Sequence, residues 1–343
     1  MSNERLRSLV AGFADCRILV VGDIIADEFI YGQIERVSRE APVLILKYDA
    51  TEMVAGGGGN AANNVAALGG HARLAGIVGR DAEGRRLVSS LLPGVERTHI
   101  VRARQYRTPV KTRILAGGIH SAKQQVVRID RDAAWPLSED VSRAFAAKLA
   151  EAVSACDAVV LSDYGSGLVT PALADRIRAA AARGSTRRRA ARPVPILVDS
   201  RYRLLEYRGM TTCTPNESEV EQILGVQIDD DPDSLEQAGR EVLRRTRSTA
   251  VLVTRGSRGM ALFQRQQATV HIPIVGAGDV ADVTGAGDTV IATVALVLAS
   301  GGSFEDAARL ANYAGGLVVR KRGTATISAH ELTGALSQPT PEV

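Results

Sequence analysis

Short apolar runs rich in β-branched residues alternate with longer stretches of helical spacing along most of the chain. Residues 18–22, 158–161 and 250–254 have the composition of buried strands, and residues 138–155 and 304–320 have the apolar period of helices. Parallel strands need long crossover connections, which are usually helical. The alternation therefore predicts an α/β fold, with a mainly parallel sheet covered by helices on both faces, in a single domain over residues 1–343.

Two segments interrupt this rhythm. Residues 29–48 and 108–130 alternate apolar and polar side chains without a helical period, as where Lys111 and Arg113 lie between apolar neighbours. We expect antiparallel strands that project from the main body as a small β lid. Since exposed edges of small sheets tend to be covered, we also expect a homodimer formed through the lid strands.

Composition excludes several classes of protein. The 343 residues are 45% hydrophobic and 23% charged, unlike disordered, collagen-like or disulfide-scaffold chains. No apolar run reaches the roughly 18 residues of a membrane helix, and residues 1–15 lack the apolar core of a secretory signal. The three cysteines lie far apart, which is typical of reduced thiols. We therefore expect a cytoplasmic protein that does not bind membranes.

The charge balance is mildly basic, with a formal net charge of +4. Its densest run, within residues 187–192, lacks interleaved aromatic residues and is interpreted as a solvated loop, with a nucleic-acid patch as the alternative. We expect no nucleic-acid partner, and an anionic small substrate suits a basic protein equally well. The five histidines show no zinc-ligand spacing, so any metal is expected to be a hard ion held by oxygen.

The most informative motif is Asp-Val-Thr-Gly-Ala-Gly-Asp at 282–288, directly before an apolar helical stretch. Gly285 and Gly287 allow close backbone approach, and free amides at a helix start bind anions. Asp288 beside that anion site indicates a base that takes a proton from an attacking hydroxyl, rather than a residue that only stabilises the helix. The similar segment 276–279 is interpreted as a turn, although it also matches a loose dinucleotide pattern.

A second site is the glycine run 56–59 followed by Asn60. Exposed backbone amides together with an Asn side chain suit a ligand rich in hydroxyls. The same glycines also fit a loose dinucleotide pattern or a simple turn. The dinucleotide interpretation is disfavoured because residues 52–55 make a poor buried strand.

Two further sites carry carboxylates. Asp23 and Asp27 follow the first strand, where ligands bind in open α/β sheets, and could accept hydrogen bonds from sugar hydroxyls; the alternative is a helix cap and a surface acid. In Thr-Pro-Asn-x-x-Glu at 214–219, Asn216 and Glu219 form a capping-box pattern. The functional alternative is ligation, through water, of a Mg²⁺ carried by nucleotide phosphates.

These four sites, in this order, resemble the PfkB (ribokinase-like) family of carbohydrate kinases, over residues 17–332. Within that family the chain is most similar to the kinase part of bifunctional heptose enzymes, which phosphorylates C1 of D-glycero-D-manno-heptose 7-phosphate. The segments that carry this similarity are 21–23, 36–42, 161–164, 282–288 and 323–326. The resemblance implies a ribokinase-like fold and ATP-dependent phosphoryl transfer to a hydroxyl of a sugar or sugar phosphate. The alternatives are a PfkB kinase for ribose, fructose or fructose phosphate, and a catalytically silent sugar or nucleotide sensor.

The resemblance also implies roles for particular residues. The base that accepts the proton would be Asp288, and the amides that bind the transferred phosphoryl group would be those of Gly285, Ala286 and Gly287. The residues that bind the sugar would be Asp23, Asp27, Gly57 and Asn60, and a phosphate on the sugar would be bound by Lys111, Arg113 and Arg128 of the lid. The residues that line the nucleotide site would be Asn216, Thr254, Gly256, Gly259 and Asn312. Asn216 and Glu219 would position Mg²⁺ through water, and backbone oxygens near Asp282, Thr284 and Gly323 would hold a monovalent cation such as K⁺.

The chain departs from the heptose kinases at two positions. They usually have Asp-Tyr-x-Lys-Gly and Asp-Pro-Lys, whereas this chain has Ser166 in place of the first lysine and Asp199-Ser200-Arg201 at the second motif. Arginine binds phosphate with a different geometry from lysine, so these changes bear on the acceptor more than on phosphoryl transfer. The resemblance extends only to the kinase part of the bifunctional enzymes, so kinase activity alone is expected.

Overall fold

The computed structural model describes residues 3–117, 123–133, 137–184, 193–229, 232–275 and 280–337. The helices are α1 Asn3–Ala11, α2 Gly58–Ala67, α3 Ala82–Ser90, α4 Glu139–Val153, α5 Pro171–Gly184, α6 Glu217–Leu224, α7 Pro232–Thr246, α8 Ala286–Ala299, α9 Phe304–Val318 and α10 Ala329–Ala335. The strands are β1 Arg17–Gly22, β2 Ile24–Val37, β3 Leu44–Gly57, β4 His71–Gly79, β5 Val95–Glu96, β6 Ile100–Ala103, β7 Val110–Gly117, β8 Gln124–Arg131, β9 Ala158–Asp163, β10 Ile196–Ser200, β11 Thr212–Cys213, β12 Ala250–Thr254, β13 Met260–Gln264 and β14 Val270–Ile272. The loop expected at 187–192 and the turn expected at 276–279 lie outside the described residues.

The main sheet has ten strands in the order β14-β13-β12-β11-β10-β9-β1-β4-β5, with β6 beside β4. Every pair is parallel except β12–β13 and β13–β14. Alternate residues of β1 enter different cores: Ile18 belongs to the core that includes residues of α2, α8 and α9, whereas Leu19 belongs to the core that includes residues of α4, α5 and α7. The predicted α/β fold, with helices on both faces of a mainly parallel sheet, is confirmed.

A separate sheet of four strands, β3-β2-β7-β8, is called here the small sheet. It contains the segments expected to form lid strands. β2–β3 and β7–β8 are antiparallel as predicted, but β2–β7 is parallel, because both strands leave the main body in the same direction. Residues 52–55, which were expected to make a poor buried strand, form part of β3 in the small sheet, where most of them are at least partly exposed. β3 leads directly into α2.

No helix in the described part of the chain combines the length and apolarity needed to cross a membrane.

Candidate functional site

A cavity of about 650 Å³ lies where the carboxyl ends of β9 to β12 face the start of α8 and the small sheet. Ligands of open α/β sheets bind at these strand ends. Most of the residues singled out from the sequence line this cavity: Asp27, Gly57, Lys111, Arg113, Arg128, Asn216, Glu219, Thr254, Gly256, Gly259, Gly285, Ala286, Gly287, Asp288 and Asn312. Asp23 and Asn60 are not in contact with it.

The start of α8 depends on Gly285, which has a left-handed backbone with φ of +78°. A Cβ at this position would lie 2.5 Å from Asn60 Nδ2, so glycine is needed both for conformation and for space. The amide of Ala286, which was expected to bind an anion, instead donates to the carbonyl of Val283 at 3.2 Å. The amides of Gly285 and Gly287 meet no acceptor among the described residues, so two of the three amides predicted to bind an anion remain available for one.

The carboxylate of Asp288 lies at the base of the cavity and is 2% exposed. Asn60 Nδ2 donates to its Oδ2 at 2.8 Å, and the Tyr164 hydroxyl donates to its Oδ1 at 3.1 Å. Burial raises the pKa of Asp288 to about 7, although these two hydrogen bonds favour the ionised form. A carboxyl with a pKa near neutrality can accept a proton from a substrate hydroxyl and release it again.

Asn60 is fixed behind Asp288 by a buried chain of side chains. Asn64 Nδ2 donates to Asn60 Oδ1 at 3.1 Å, and the Thr289 hydroxyl donates to Asn64 Oδ1 at 2.8 Å. These bonds define which way the Asn60 amide points, with its nitrogen on Asp288. Asn60 therefore orients the Asp288 carboxylate, a role that the sequence did not suggest, and its expected contact with the sugar stays a prediction.

Asp27 reaches the cavity from β2. Arg113 Nη1 on β7 donates to its Oδ1 at 2.6 Å, and the Thr324 hydroxyl donates to its Oδ2 at 3.3 Å. Any side chain at Gly56 would collide with this carboxylate, which explains one glycine of the run. Asp27 is thus held in place for ligand hydroxyls, and Arg113 is committed to it rather than free for a phosphate.

Asp23 is fully buried after the end of β1 and does not line the cavity. Its Oδ2 accepts hydrogen bonds from the backbone amides of Tyr164 at 2.9 Å and Ser166 at 3.2 Å. Burial raises its pKa to about 6. Asp23 therefore shapes the loop after β9, and its expected contact with a sugar stays a prediction.

Besides Arg113, three cationic side chains line the cavity near the small sheet: Lys111, Arg128 and Arg201. Lys111 Nζ lies 5.0 Å from the centroid of the Tyr164 ring, and burial lowers the pKa of Lys111. Arg128 pairs with Asp130 at 2.9 Å. Arg201 follows β10, and neither it nor Lys111 forms a salt bridge with any described residue. Lys111 and Arg201 can therefore bind an anion without breaking an existing ion pair.

Asn216 and Glu219 form the capping box at the start of α6. Asn216 Oδ1 accepts from the Glu219 amide at 2.8 Å, and Glu219 Oε2 accepts from the Asn216 amide at 3.0 Å. Both side chains also line the cavity, beside the carboxylate of Asp199 at the end of β10. Burial raises the pKa of Glu219, and burial together with the charges of Glu219 and Asp288 raises that of Asp199 well above its ordinary value. Such carboxylates favour a nearby divalent cation.

The described residues contain no group of three or more His, Cys, Asp or Glu side chains placed to hold a metal ion. Oxygen ligands are nevertheless available from Glu219 and Asp199. The Thr214 hydroxyl is also buried beside the cavity without a hydrogen-bond partner in the described part of the chain. This set fits Mg²⁺ held mainly by phosphates and water rather than in an all-protein cage.

The opposite end of the cavity is built from backbone and apolar side chains. Thr254, Gly256 and Gly259 surround the end of β12, and Asn312 Nδ2 is bonded to the Pro273 carbonyl at 2.7 Å. The apolar wall comprises Met260, Ile274, Val280, Val290, Gly315, Gly316 and Val319. A slot of this kind suits a planar base.

Sequence reasoning missed the site roles of Tyr164, Asp199, Arg201 and Thr324. Each lies in a segment that carries the family resemblance or one of the departures from it. Nothing local distinguishes the four, because Tyr164 and Asp288 are 124 positions apart and meet only in the fold. For Tyr164, Asp199 and Arg201 the available signal was a position at or just after the end of a strand, whereas Thr324 lies in the loop between α9 and α10 and had no such signal.

The family model described as pfkB family carbohydrate kinase matches residues 17–331. The bifunctional protein HldE of Geobacter metallireducens is 39% identical over 338 residues, covering 98% of this chain and 66% of that protein. The protein of the same name from Gluconacetobacter diazotrophicus is 40% identical over 329 residues, covering 95% of this chain and 64% of the relative. The chain thus spans about two thirds of the length of these relatives.

Solved structures show the same fold. Ribokinase from Arabidopsis thaliana, complexed with ribose and ATP, has a TM-score of 0.72 at 22% identity and covers 94% of this chain and 99% of its own. Phosphofructokinase-2 from Escherichia coli, in complex with substrates and products, also has a TM-score of 0.72 at 22% identity, with 94% and 98% covered. The ribokinase-like architecture expected from the sequence is confirmed.

Proposed function

Since the chain belongs to the pfkB family of carbohydrate kinases, we propose that it transfers the γ-phosphoryl group of ATP to a sugar phosphate. The acceptor we favour is the C1 hydroxyl of D-glycero-D-manno-heptose 7-phosphate. The observation that carries the proposal is the buried Asp288 carboxylate beside the unpaired amides of Gly285 and Gly287. The relatives called bifunctional protein HldE support the heptose acceptor.

In this reaction the acceptor hydroxyl gives its proton to Asp288 as its oxygen forms a bond to the γ-phosphorus. The bond between that phosphorus and the bridging oxygen breaks, and ADP leaves with the bonding electron pair. The amides of Gly285 and Gly287, aided by the dipole of α8, stabilise negative charge on the moving phosphoryl group. Positioning and charge stabilisation supply most of the catalysis in such transfers.

The residues at the two ends of the cavity fit the two substrates. Asp27 and Gly57 would bind sugar hydroxyls, while Lys111, Arg128 and Arg201 would bind the phosphate that the sugar carries. Thr254, Gly256, Gly259, Asn312 and Asn216 would surround ATP.

Two cations complete the proposal. Mg²⁺, held through water by Asn216 and Glu219 and faced by Asp199, neutralises phosphate charge when bound. For a monovalent cation such as K⁺ we propose the backbone oxygens near Asp282, Thr284 and Gly323. The Asp282 carboxylate organises this loop, accepting from the amides of Thr284 at 2.9 Å and Gly323 at 3.0 Å. Although burial favours the neutral acid, these bonds lower the pKa of Asp282.

A second acceptor class is supported by Ser166 and Arg201, which replace two lysines usual in heptose kinases. Another phosphorylated sugar, such as fructose phosphate, would bind the same cationic side chains, but the distance between its phosphate and its reacting hydroxyl would differ. A catalytically silent sensor is disfavoured because Asp288 and its hydrogen-bond donors are all in place.

We also propose a homodimer formed through the small sheet. All of β8 is exposed, including the apolar side chains of Val126, Val127 and Ile129. The substitution Val127→Lys should convert the dimer to a monomer in light scattering, because it places a charge within the buried face. Val226→Lys is the matched control, since Val226 is similarly exposed (44% against 48%) but lies after α6. A dimer that survives Val127→Lys, or a wild-type monomer, contradicts this interface.

We also propose that the protein is located in the cytoplasm. ATP is available there, and the unpaired thiols of Cys16, Cys156 and Cys213 are typical of a reducing compartment.

The function is tested by ADP release over a panel of free and phosphorylated heptoses, hexoses and pentoses. We expect the largest kcat/KM for heptose 7-phosphate. A larger value for a hexose phosphate would select the second acceptor class. No ADP release with any sugar would contradict the proposed activity.

A further inference from the structure

The loop after β9 is anchored by a buried carboxylate that does not line the cavity. Asp23 Oδ2 receives the amides of Tyr164 at 2.9 Å and of Ser166 at 3.2 Å. Gly165 between them has a φ of +84°, which lets both amides turn toward the same oxygen. The backbone position of Tyr164 is therefore set by a fully buried acceptor.

The side chain of Tyr164 extends from this anchored loop to the base of the cavity. Its hydroxyl donates to Asp288 Oδ1 at 3.1 Å, while Asn60 Nδ2 donates to Oδ2 at 2.8 Å. Lys111 Nζ lies 5.0 Å from the ring centroid, within cation–π range. Two donors on different oxygens fix the plane of the Asp288 carboxylate, and Lys111 covers one face of the Tyr164 ring.

We infer that Tyr164 is a positioning residue for Asp288: its hydroxyl orients the carboxylate and favours the ionised form, and Asp23 holds Tyr164 in place. The inference rests on the proposed function, in which Asp288 is the base. A hydrogen bond to a charged carboxylate stabilises that form relative to the neutral acid. Its loss should therefore make Asp288 a poorer base at neutral pH while leaving the substrate sites intact.

Other groups also face Asp288 and must be held constant in a test. Asp27 from β2 and Asp199 from the end of β10 are carboxyl groups, and Lys111 from β7 carries an amino group. Asp27 raises the pKa of Asp288 and Lys111 lowers it. The substitution Tyr164→Phe keeps the ring under Lys111 and leaves all three groups in place. It removes only the hydroxyl.

The experiment compares kcat/KM for the sugar as a function of pH, which reports ionisation of the free enzyme, for wild type and Tyr164→Phe, with ADP release as the readout. We expect kcat/KM to rise with pH as Asp288 ionises, with a wild-type midpoint near pH 7. Loss of the hydrogen bond should move that midpoint upward by about one pH unit, equivalent to about a tenfold loss on the acidic side that recovers at high pH. Tyr202→Phe, at an exposed tyrosine outside the cavity lining, is the control and should keep the wild-type profile.

A second variant guards against loss of folding. Site-specific 3-fluorotyrosine at position 164 keeps the shape of the side chain but is a stronger donor, so it should move the midpoint to lower pH. An unchanged profile for both variants would overturn the inference, as would an equal loss of rate at every pH. If wild type lacks sugar kinase activity, or if Asp288→Asn turns over normally, the proposed function itself fails, which is a different result.

Discussion

The two ends of the cavity are built differently. At the acceptor end, Asp288, Asp27 and Tyr164 are bonded to side chains from other elements before any ligand arrives. At the nucleotide end, the wall is backbone, glycine and apolar surface, and Asn312 is bonded to a carbonyl. The contrast suggests that proton transfer depends on long-range polar contacts, whereas nucleotide binding depends on shape. Substitutions at the two ends should therefore affect different kinetic constants.

The largest effect should come from Asp288→Asn. The amide cannot accept the substrate proton, so kcat should fall by about 10²- to 10⁴-fold. ATP affinity should change little, because the base lies at the acceptor end. Steady-state kinetics together with ATP titration separate the two constants, and near-normal turnover would remove Asp288 from the mechanism.

Arg113→Met should have the next largest effect. It leaves the Asp27 carboxylate, which is 6% exposed, without its 2.6 Å cationic partner. Loss of a charged hydrogen bond is worth about 1.5–3 kcal/mol, so KM for the sugar should rise by about 10- to 100-fold. KM for ATP measured in the same variant should stay near wild type. If both KM values rise together, the independence of the two ends is contradicted.

Gly315→Val tests the nucleotide end. The new side chain would point toward Val290 and Met260, which line the apolar slot. KM for ATP should therefore rise by about tenfold, while KM for the sugar stays unchanged. Gly334→Val is the matched control, because a Cβ at Gly334 on α10 meets nothing within 4 Å. An equal effect of the two variants would show that the slot is not the nucleotide site.

The smallest effect is expected for Arg128→Met. Arg128 is paired with Asp130 at an exposed position, and exposed ion pairs contribute little. KM for a phosphorylated acceptor should rise only a few-fold, because an exposed ion pair with the phosphate contributes roughly 0.5–1 kcal/mol of binding free energy. The unphosphorylated sugar should show no change. An effect on both acceptors would place Arg128 away from the acceptor's phosphate.

The central parallel strands of the main sheet could be predicted from sequence because they contain apolar runs that are buried, as in β9, where all six residues are buried. The edge strands β5, β6, β13 and β14 were not predicted. The glycine-bracketed start of α8 could also be predicted, because local backbone requirements are visible in local sequence. The partners of Asp23, Asn60 and Arg113 could not. Each could bind a sugar as readily as a neighbouring side chain, and only the fold decides which group comes within 3 Å.

The parallel pairing of β2 with β7 escaped prediction for a similar reason. Alternation of apolar and polar residues gives the face of a strand but not the direction of its neighbour. That direction follows from the path through β4 and β6 between the two strands.

The most direct test of the account is a crystal structure with a non-hydrolysable ATP analogue and the sugar phosphate bound. The γ-phosphate should contact the amides of Gly285 and Gly287, with the acceptor hydroxyl within hydrogen-bond distance of Asp288. A nucleotide bound away from the start of α8, or an acceptor hydroxyl out of reach of that carboxylate, would contradict it.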